Sequence, residues 1–176
     1  MDNIKDTIVP PFNAYGMMYR LDLNSDGIEE TIQPQKRDGV DWIEIRDSSQ
    51  RKIFEAKLLA MGRDSSLYKL RLVALSEKIR CLILFLDEGI VKGEHFESSG
   101  KIYLVSFENN DLSTLSITDG AHFFHEKKKH REQYWRRNYT VNVYDIDGDN
   151  RKEITIEYNH IQRIFRYKQS GEWDKI

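Results

Sequence analysis

The sequence predicts an all-β protein built from antiparallel, propeller-like repeats, about three blades in number. Apolar and polar residues alternate through most of the chain, which is the period-two pattern of half-buried strands. Polar turns recur near residues 47, 108 and 168. Their spacing of about 60 residues is typical of a repeat architecture or propeller. An acidic loop at Asp22–Glu30 returns at Asp145–Glu153.

The length of 176 residues favours one globular domain, residues 1–176, with repeats at approximately 13–60, 67–118 and 138–176. A formal net charge of −2 disfavours nucleic acid as a partner. The longest apolar run, Cys81 to Leu86, is too short to span a bilayer, so no transmembrane segment is predicted. Cys81 is the single cysteine, which excludes an internal disulfide and predicts a buried thiol.

Each repeat is predicted as a set of short antiparallel strands. A brief strand at 8–9 precedes the first repeat, whose strands lie at 15–21, 31–33, 42–46 and 52–58, with Pro34 ending the second of them. The middle repeat has strands at 67–75, 80–86, 101–107 and 112–117. Residues 67–77 could instead be a helix, because periodicity alone does not settle a short apolar run. The apolar run from Cys81 to Leu86 predicts a central strand buried on both faces. The third repeat has strands at 139–143, 154–158, 161–167 and 172–174.

Residues 121–137 depart from this pattern. The segment has no strong alternation and no internal Gly or Pro, which predicts an insertion that could form a short helix. It contains the one concentrated basic patch, with aromatic residues Tyr134 and Trp135 among the charges, and so it is a candidate contact for an anion or a partner. A solvated surface is the alternative interpretation. The candidate contact residues are Lys127, Lys128, Lys129, Arg131, Arg136 and Arg137.

The same segment contains a group of histidines. On a helix, His122 and His125 would share a face with Glu126 and could form a zinc site. The spacing fits no strong zinc motif and His130 would be rotated away, so a solvated insertion is favoured. The chain also has no nucleophile motif, phosphate loop or Rossmann fingerprint, and we predict that it is not an enzyme.

The two acidic loops have the spacing of calcium sites. Both place oxygen-bearing side chains at positions 1, 3, 5 and 9, and both have a residue that accepts positive φ, Gly27 or Asn150, at position 6. Calcium takes six to eight oxygens in flexible geometry, and the backbone carbonyl of position 7 would add one. The predicted ligands of two structural Ca²⁺ ions are Asp22, Asn24, Asp26, Ile28 and Glu30, and Asp145, Asp147, Asp149, Arg151 and Glu153. The first loop has Asn24 where the second has an acid, so we expect it to bind more weakly.

Other interpretations of these loops are less consistent with the sequence. An EF-hand needs a Glu at position 12 and flanking helices, whereas Gln33 and Ile156 stand there between β-patterned segments. Magnesium seldom uses all-protein cages. An acidic turn that binds nothing is the remaining alternative, and the repetition of the spacing argues against it.

The sequence Asp145-Ile-Asp147-Gly-Asp149-Asn-Arg-Lys-Glu153 resembles the calcium loop of FG-GAP/VCBS-type repeats, the blades of integrin alpha-subunit β-propellers, and Asp22–Glu30 is similar. The resemblance implies propeller blades, the same ligands position by position, and a calcium-rich secreted or periplasmic setting. The start of the chain lacks the basic region and the long apolar region of a secretory signal, so a cytoplasmic location is the alternative. In the middle repeat the corresponding place is near residues 86–89, which we expect to be a degenerate copy that binds no metal.

These observations predict a non-enzymatic interaction or adhesion module with a protein or glycan partner. The alternative is a small enzyme or glycan-binding protein that uses residues 121–137, which a deep pocket with perturbed pKa values would indicate. Three blades leave exposed sheet edges, and a homodimer could close a six-bladed ring. Protection of an edge within one chain, for instance by Ile8 and Val9, is the simpler arrangement.

Overall fold

The computed structural model describes residues 7–9, 18–60, 62, 64–92, 96–128 and 134–176. These residues form strands arranged in three antiparallel sheets, which confirms the predicted all-β class. They include no helix that could cross a membrane. They also form no closed barrel or propeller.

The first sheet is a four-stranded meander. Its strands are β2 (Tyr19–Leu21), β3 (Glu30–Arg37), β4 (Val40–Arg46) and β5 (Lys52–Leu58). As the alternation predicts, Tyr19 and Leu21 are buried while Met18 and Arg20 are exposed. The expectation that Pro34 ends β3 is wrong. In the described residues β2 pairs with β3 only as far as Ile32, so Pro34 has a partner strand on one side, and a strand accepts proline at such an edge.

The central sheet has six strands in the order β1-β6-β7-β8-β9-β10. They are β1 (Thr7–Val9), β6 (Ser66–Ala74), β7 (Ile79–Lys92), β8 (Phe96–Glu108), β9 (Asp111–Lys128) and β10 (Tyr134–Asn138). The helical alternative for residues 67–77 is therefore wrong, since β6 pairs with β7 along its length. The predicted strand at 8–9 is confirmed, and it protects the β6 edge of this sheet.

The third sheet is again a four-stranded meander. Its strands are β11 (Thr140–Tyr144), β12 (Glu153–Tyr158), β13 (Ile161–Tyr167) and β14 (Trp173–Lys175). The tight turn at Asn159 and His160 pairs Tyr158 with Ile161. This register determines which β13 residue comes to lie beside the second acidic loop.

The three sheets are stacked with the central sheet in the middle. One face of the central sheet packs on the first sheet, through residues such as Leu84 and Val105 against Ile43 and Ile45. The other face packs on the third sheet, through residues such as Ile83 and Leu104 against Ile154 and Ile156. Every side chain from Cys81 to Leu86 is at most 5% exposed, which confirms the prediction of a strand buried on both faces. The Cys81 thiol is buried and unpaired, also as predicted, and burial raises its pKa.

The outward faces of the stack are polar. On the first sheet, Glu44 is 2% exposed and pairs with both Arg37 and Arg46, and Arg37 also pairs with Glu55. On the third sheet, Glu157 accepts hydrogen bonds from Thr155, Tyr144 and Gln162. Each outer layer thus buries one apolar face against the centre and covers the other with hydrogen-bonded polar groups.

The turns near 47, 108 and 168 each join the third and fourth strands of a meander, β4–β5, β8–β9 and β13–β14. The acidic loops join the first and second strands of the first and third sheets. The equivalent connection in the central meander is the short turn at 75–78, which joins β6 to β7. Our placement of a degenerate loop at Leu86–Gly89 is therefore wrong. Those residues lie inside β7, where the register with β8 shifts between Asp87 and Ile90 and Gly89 has a φ of 79°.

The prediction of a helical insertion at 121–137 is also wrong for the residues described. Ala121–Lys128 continues β9, and Tyr134–Asn138 forms β10 beside it. The pairing of β8 with β9 is irregular near Gly100, Lys101 and Tyr103. These irregularities disturb the two-residue alternation, which explains why the segment has no clear strand pattern in the sequence.

Candidate metal centre

The two acidic loops occupy equivalent places in the first and third sheets. Each begins after the first strand of its meander and ends at a glutamate that opens the second strand, Glu30 in β3 and Glu153 in β12. Both glutamates are buried, with exposures of 3% and 0%. Their carboxylates accept a hydrogen bond from the N–H at position 2, at 2.9 Å from Leu23 and 3.0 Å from Ile146. In each loop this bond ties the start of the loop to its end.

Three further backbone-to-side-chain hydrogen bonds are repeated, and one differs. The position 1 carboxylate accepts from the N–H at position 6, with Asp22 at 3.0 Å from Gly27 and Asp145 at 2.9 Å from Asn150. The position 5 carboxylate accepts from the N–H at position 7 at 2.8 Å in the first loop and 2.7 Å in the second. The position 3 side chain accepts from the N–H at position 5 in both. The position 1 carboxylate also accepts from the N–H at position 5 in the first loop and from the N–H at position 4 in the second. Two segments of different sequence therefore fold into the same loop.

The backbone angles explain the residue types at the two turning points. Gly27 and Asn150 at position 6 have φ values of 85° and 66°, as the sequence predicts. Position 4 is also left-handed, with φ values of 61° at Ser25 and 78° at Gly148, which was not predicted from the sequence. Left-handed angles are easiest for Gly and tolerable for Asn, so the double bend restricts both positions. The bends turn the side chains of positions 1, 3 and 5 inwards.

The carboxylates of the second loop converge. Ligand oxygens of Asp145, Asp147 and Asp149 all lie within 4.8 Å of one another, and among the described His, Cys, Asp and Glu residues this is the group of three with metal-ligand spacing. Carboxylates are hard oxygen ligands, and several on one flexible loop suit Ca²⁺. The side chain of Arg151 at position 7 donates to the carbonyls of Tyr167 and Lys168, so a ligand from this position would be its backbone carbonyl.

An arginine that the sequence analysis missed reaches into the second loop. Arg166 of β13 donates to Asp147 at 2.7 Å and to Glu153 at 3.2 Å. The Asp147 charge, followed by the bond to Glu153, raises the pKa of the Arg166 guanidinium. The signal was available in the hairpin register, because pairing of Ile154 with Phe165 places Arg166 opposite Glu153. A cation bound by Asp147 and Glu153 would compete with Arg166.

The first loop has a different electrostatic setting. Asn24 donates its side-chain N–H to Asp26 at 3.0 Å, in place of a third aspartate. Burial raises the pKa of Glu30, opposed by the Leu23 N–H, and the Asp26 and Asp22 charges raise it further. The loop faces a groove of about 630 Å³ between the β4–β5 turn and the β8–β9 hairpin, lined by Asp26, Glu30, Asp47, Arg51 and Asp111 among others.

Both loops are anchored to the central sheet, by different contacts. The Leu23 side chain is fully buried, and its carbonyl accepts from the guanidinium of Arg80, which is 6% exposed, at 2.9 Å. In the second loop the Lys152 N–H donates to the carbonyl of Leu75 at 2.7 Å. The corresponding side chain at position 2, Ile146, is 38% exposed. The first loop is thus fixed through both the side chain and the carbonyl of Leu23, and the second through its backbone and Arg166.

Three of the four predicted basic contact residues that the structure describes have partners within the chain. Lys127 pairs with Glu97 at 2.9 Å, Arg136 lies over the Phe124 ring, and Arg137 lies over the Trp135 and Tyr158 rings. Lys128 is exposed at the end of β9. Lys129 and Arg131 lie outside the described residues. Lys128, Arg136 and Arg137 are exposed, and the contact with an anion or a partner stays a prediction.

The three candidate zinc ligands, His122, His125 and Glu126, each contact a different residue of the chain. His122 contacts Glu88 at 2.9 Å and His125 contacts Glu97 at 2.7 Å, so each histidine is paired with a different carboxylate. Glu126 accepts a hydrogen bond from Tyr134 at 2.6 Å. The helix on which a shared face depended is a strand, and His130 lies outside the described residues. His122 and His125 stack with their ring centroids 6.4 Å apart, but among the described residues the set does not form a group with metal-ligand spacing.

Comparison with protein-family models, curated proteins and solved structures finds no match to this chain.

Proposed function

We propose that this chain is a calcium-binding, non-enzymatic interaction module of FG-GAP/VCBS type, whose stacked sheets correspond to propeller-like blades. The observation that carries the proposal is the hydrogen-bond set that the two loops share. The same donors and acceptors at positions 1, 2, 3, 5, 6, 7 and 9 orient oxygen side chains in both sheets.

Each ion would connect the first and second strands of its sheet. In the second loop Asp145, Asp147, Asp149 and Glu153 would provide side-chain oxygens, and Arg151 its carbonyl. In the first loop Asp22, Asn24, Asp26, Glu30 and the carbonyl of Ile28 would do so. Calcium supplies charge neutralisation here, and the consequence is stability of the fold, because the loop has its binding form only in the folded chain. The interaction surface for a protein or glycan partner is separate from these ions.

Thermal unfolding in millimolar calcium and in excess chelator tests the proposal. At a free calcium concentration about 100 times the Kd of one site, binding at that site adds about 2.7 kcal/mol, which corresponds to a rise in Tm of about 5–10 °C for a domain of this size. Magnesium at the same concentration is expected to give a smaller shift. A Tm that is the same in calcium and in chelator would contradict the proposal.

Variants assign the effect to the loops. Replacing Asp145 and Asp149 by Asn should remove most of the shift if the second loop is the stronger site, and Asp22→Asn should remove the remainder. Glu29→Gln is the matched control, because Glu29 is an exposed acid at position 8 of the first loop that is not a predicted ligand. A shift that survives all the loop substitutions would place the ion elsewhere.

A further inference from the structure

The long strands of the central sheet form a second feature that the metal loops do not explain. In the outer sheets no strand exceeds the eight residues of β3, whereas β7, β8 and β9 have 14, 13 and 18 residues. The added length lies at Asp87–Lys92, at Phe96–Gly100 and at Ala121–Lys128, and β10 pairs along it. Packing on the outer sheets does not require this extension, because the two core clusters are made largely by the other part of the strands.

The extension forms one wall of a cleft of about 710 Å³, and the start of β11 forms the other. A volume of this size lies within the range of small-ligand sites. Apolar rings line much of it, including Phe96, Phe123, Phe124 and Tyr139, all of which are half-buried and therefore partly accessible. Phe85 packs edge-on against Phe123, with ring centroids 5.2 Å apart, which restricts the orientation of the Phe123 ring.

A β-bulge places two consecutive rings in this cleft. The register of β8 and β9 shifts after Gly100, and both Phe123 and Phe124 line the cleft although neighbours in a regular strand point to opposite faces. Both rings lie against the backbone of Gly100. A Cβ atom there would come within 2.5 Å of Phe123 and 2.6 Å of Phe124. Glycine at this position is thus a condition for the aromatic lining.

The charged groups around the rings are balanced. Lys69 and Arg136 provide two positive charges, and Asp87 and Glu126 provide two negative ones. Lys69 and Arg136 already lie over the rings of Phe85 and Phe124, at 5.0 and 5.8 Å from the centroids. Burial lowers the pKa of Lys69 and raises the pKa of Asp87, so both groups face a site with limited access to water.

We infer that the cleft binds a short neutral oligosaccharide. A pyranose ring has an apolar C–H face that packs on aromatic rings, and an edge of hydroxyl groups that both donate and accept hydrogen bonds. Asp87 and Glu126 provide acceptors, Arg136 provides donors, and Asn138 provides both, around the aromatic floor. A polyanion would be repelled by the carboxylates of Asp87 and Glu126. An organic cation would be repelled by Lys69 and Arg136, which already lie over the aromatic rings that it would stack on. A neutral ligand with several hydroxyl groups is repelled by neither pair of charges.

The test is titration of the full chain with four neutral sugars: cellotriose, maltotriose, lactose and triacetylchitotriose. We expect at least one to bind with a dissociation constant between micromolar and millimolar, measured by calorimetry or by saturation-transfer NMR. Phe124→Ala should weaken that binding about tenfold by removing a stacking ring, and Asp87→Asn should do so about tenfold by removing a charged acceptor. Trp42→Ala is the control, because Trp42 is an aromatic residue in β4 of the first sheet, away from the cleft, and it should leave the affinity unchanged.

Three results would overturn the inference. One is that none of the four sugars binds at concentrations up to about 20 mM, well above the weakest dissociation constant expected for such a site. The second is binding that persists in both Phe124→Ala and Asp87→Asn, each checked for folding by circular dichroism. The third is binding of a heparin fragment in place of the neutral sugars. The titration is repeated in excess chelator, where the affinity should be the same, so that failure of the calcium proposal is distinguishable from failure of this one.

Discussion

The two acidic loops share a backbone but are held in place differently. In the first loop, position 2 is Leu23, fully buried in the core between the first and central sheets. In the second, the same position is the partly exposed Ile146, and Arg166 instead links Asp147 and Glu153. An apolar anchor does not compete with a metal ion for the loop carboxylates, whereas the Arg166 guanidinium competes for two of them. The number of acidic residues alone is therefore an incomplete guide to which loop binds calcium more tightly.

The largest expected difference concerns position 2. Leu23→Ala removes a fully buried side chain and should lower the free energy of unfolding by about 3 kcal/mol. Ile146→Ala removes a partly exposed side chain and should cost less than about 1 kcal/mol. Chemical denaturation in excess chelator measures both without a contribution from metal. Equal losses would show that the two loops are anchored alike.

Arg166 gives the next largest effect. In a background where Asp22→Asn disables the first loop, Arg166→Gln should raise the calcium affinity of the second loop about tenfold, because Asp147 and Glu153 no longer pair with a competing cation. Arg166 is 37% exposed, which limits the gain through solvent screening. Calcium titration against a competing chelator measures it.

Arg51→Gln is the matched control for Arg166. Arg51 pairs with Asp47 beside the first loop, and its side chain is 80% exposed. Its partner Asp47 is not a predicted calcium ligand. Its substitution should change the calcium affinity of the first loop less than about twofold. Weaker calcium binding in Arg166→Gln would mean that the arginine organises the second loop more than it competes there.

A smaller effect is expected when the first loop is made more like the second. Asn24→Asp adds the missing carboxylate at position 3 and should strengthen calcium binding by the first loop several-fold, since ligand charge tunes calcium affinity. The measurement is titration in a background where Asp145→Asn and Asp149→Asn disable the second loop. If Asn24→Asp changes nothing, position 3 is not a ligand there.

The smallest effect concerns pH and the contact between the central and third sheets. Glu108, at the end of β8, accepts hydrogen bonds from the Tyr167 hydroxyl and then from the Ser170 N–H, and both lower its pKa. A carboxyl whose pKa is lower in the folded state stabilises the fold above its unfolded pKa, and this contribution is lost as the pH falls through the folded value. The Tyr167→Phe variant lacks the hydroxyl bond that lowers the pKa of Glu108. Its free energy of unfolding should therefore fall less than that of the unaltered chain between pH 6 and roughly pH 3. Parallel acid-induced losses would contradict this role for Glu108.

Much of this architecture is predictable from local sequence. The strands at 52–58 and 161–167 have the predicted bounds, because regular alternation between polar turns leaves one register. The end of β9 and its partner β10 were not predicted, since register shifts near Gly100 interrupt the alternation. The left-handed residues at position 6 were predicted from their type, while Ser25 at position 4 has no such signal. Arg166 depends on the exact register of the β12–β13 hairpin. The aromatic cleft depends on the shifted register of β8 and β9 and on the approach of β11. Only a correct register would have revealed either of them.

The polar outer faces of the stack determine how it can associate with other molecules. A further sheet added face to face would have to remove water from the Arg37, Glu44 and Glu55 group on one side, or from the Tyr144, Glu157 and Gln162 group on the other. Such desolvation is costly unless every group finds a new partner. Terminal units of repeat proteins use polar outer faces to end a stack in the same way. The described sheets thus have the outer polarity of a stack with two end caps, and the cost of desolvation disfavours a fourth layer on either outer face.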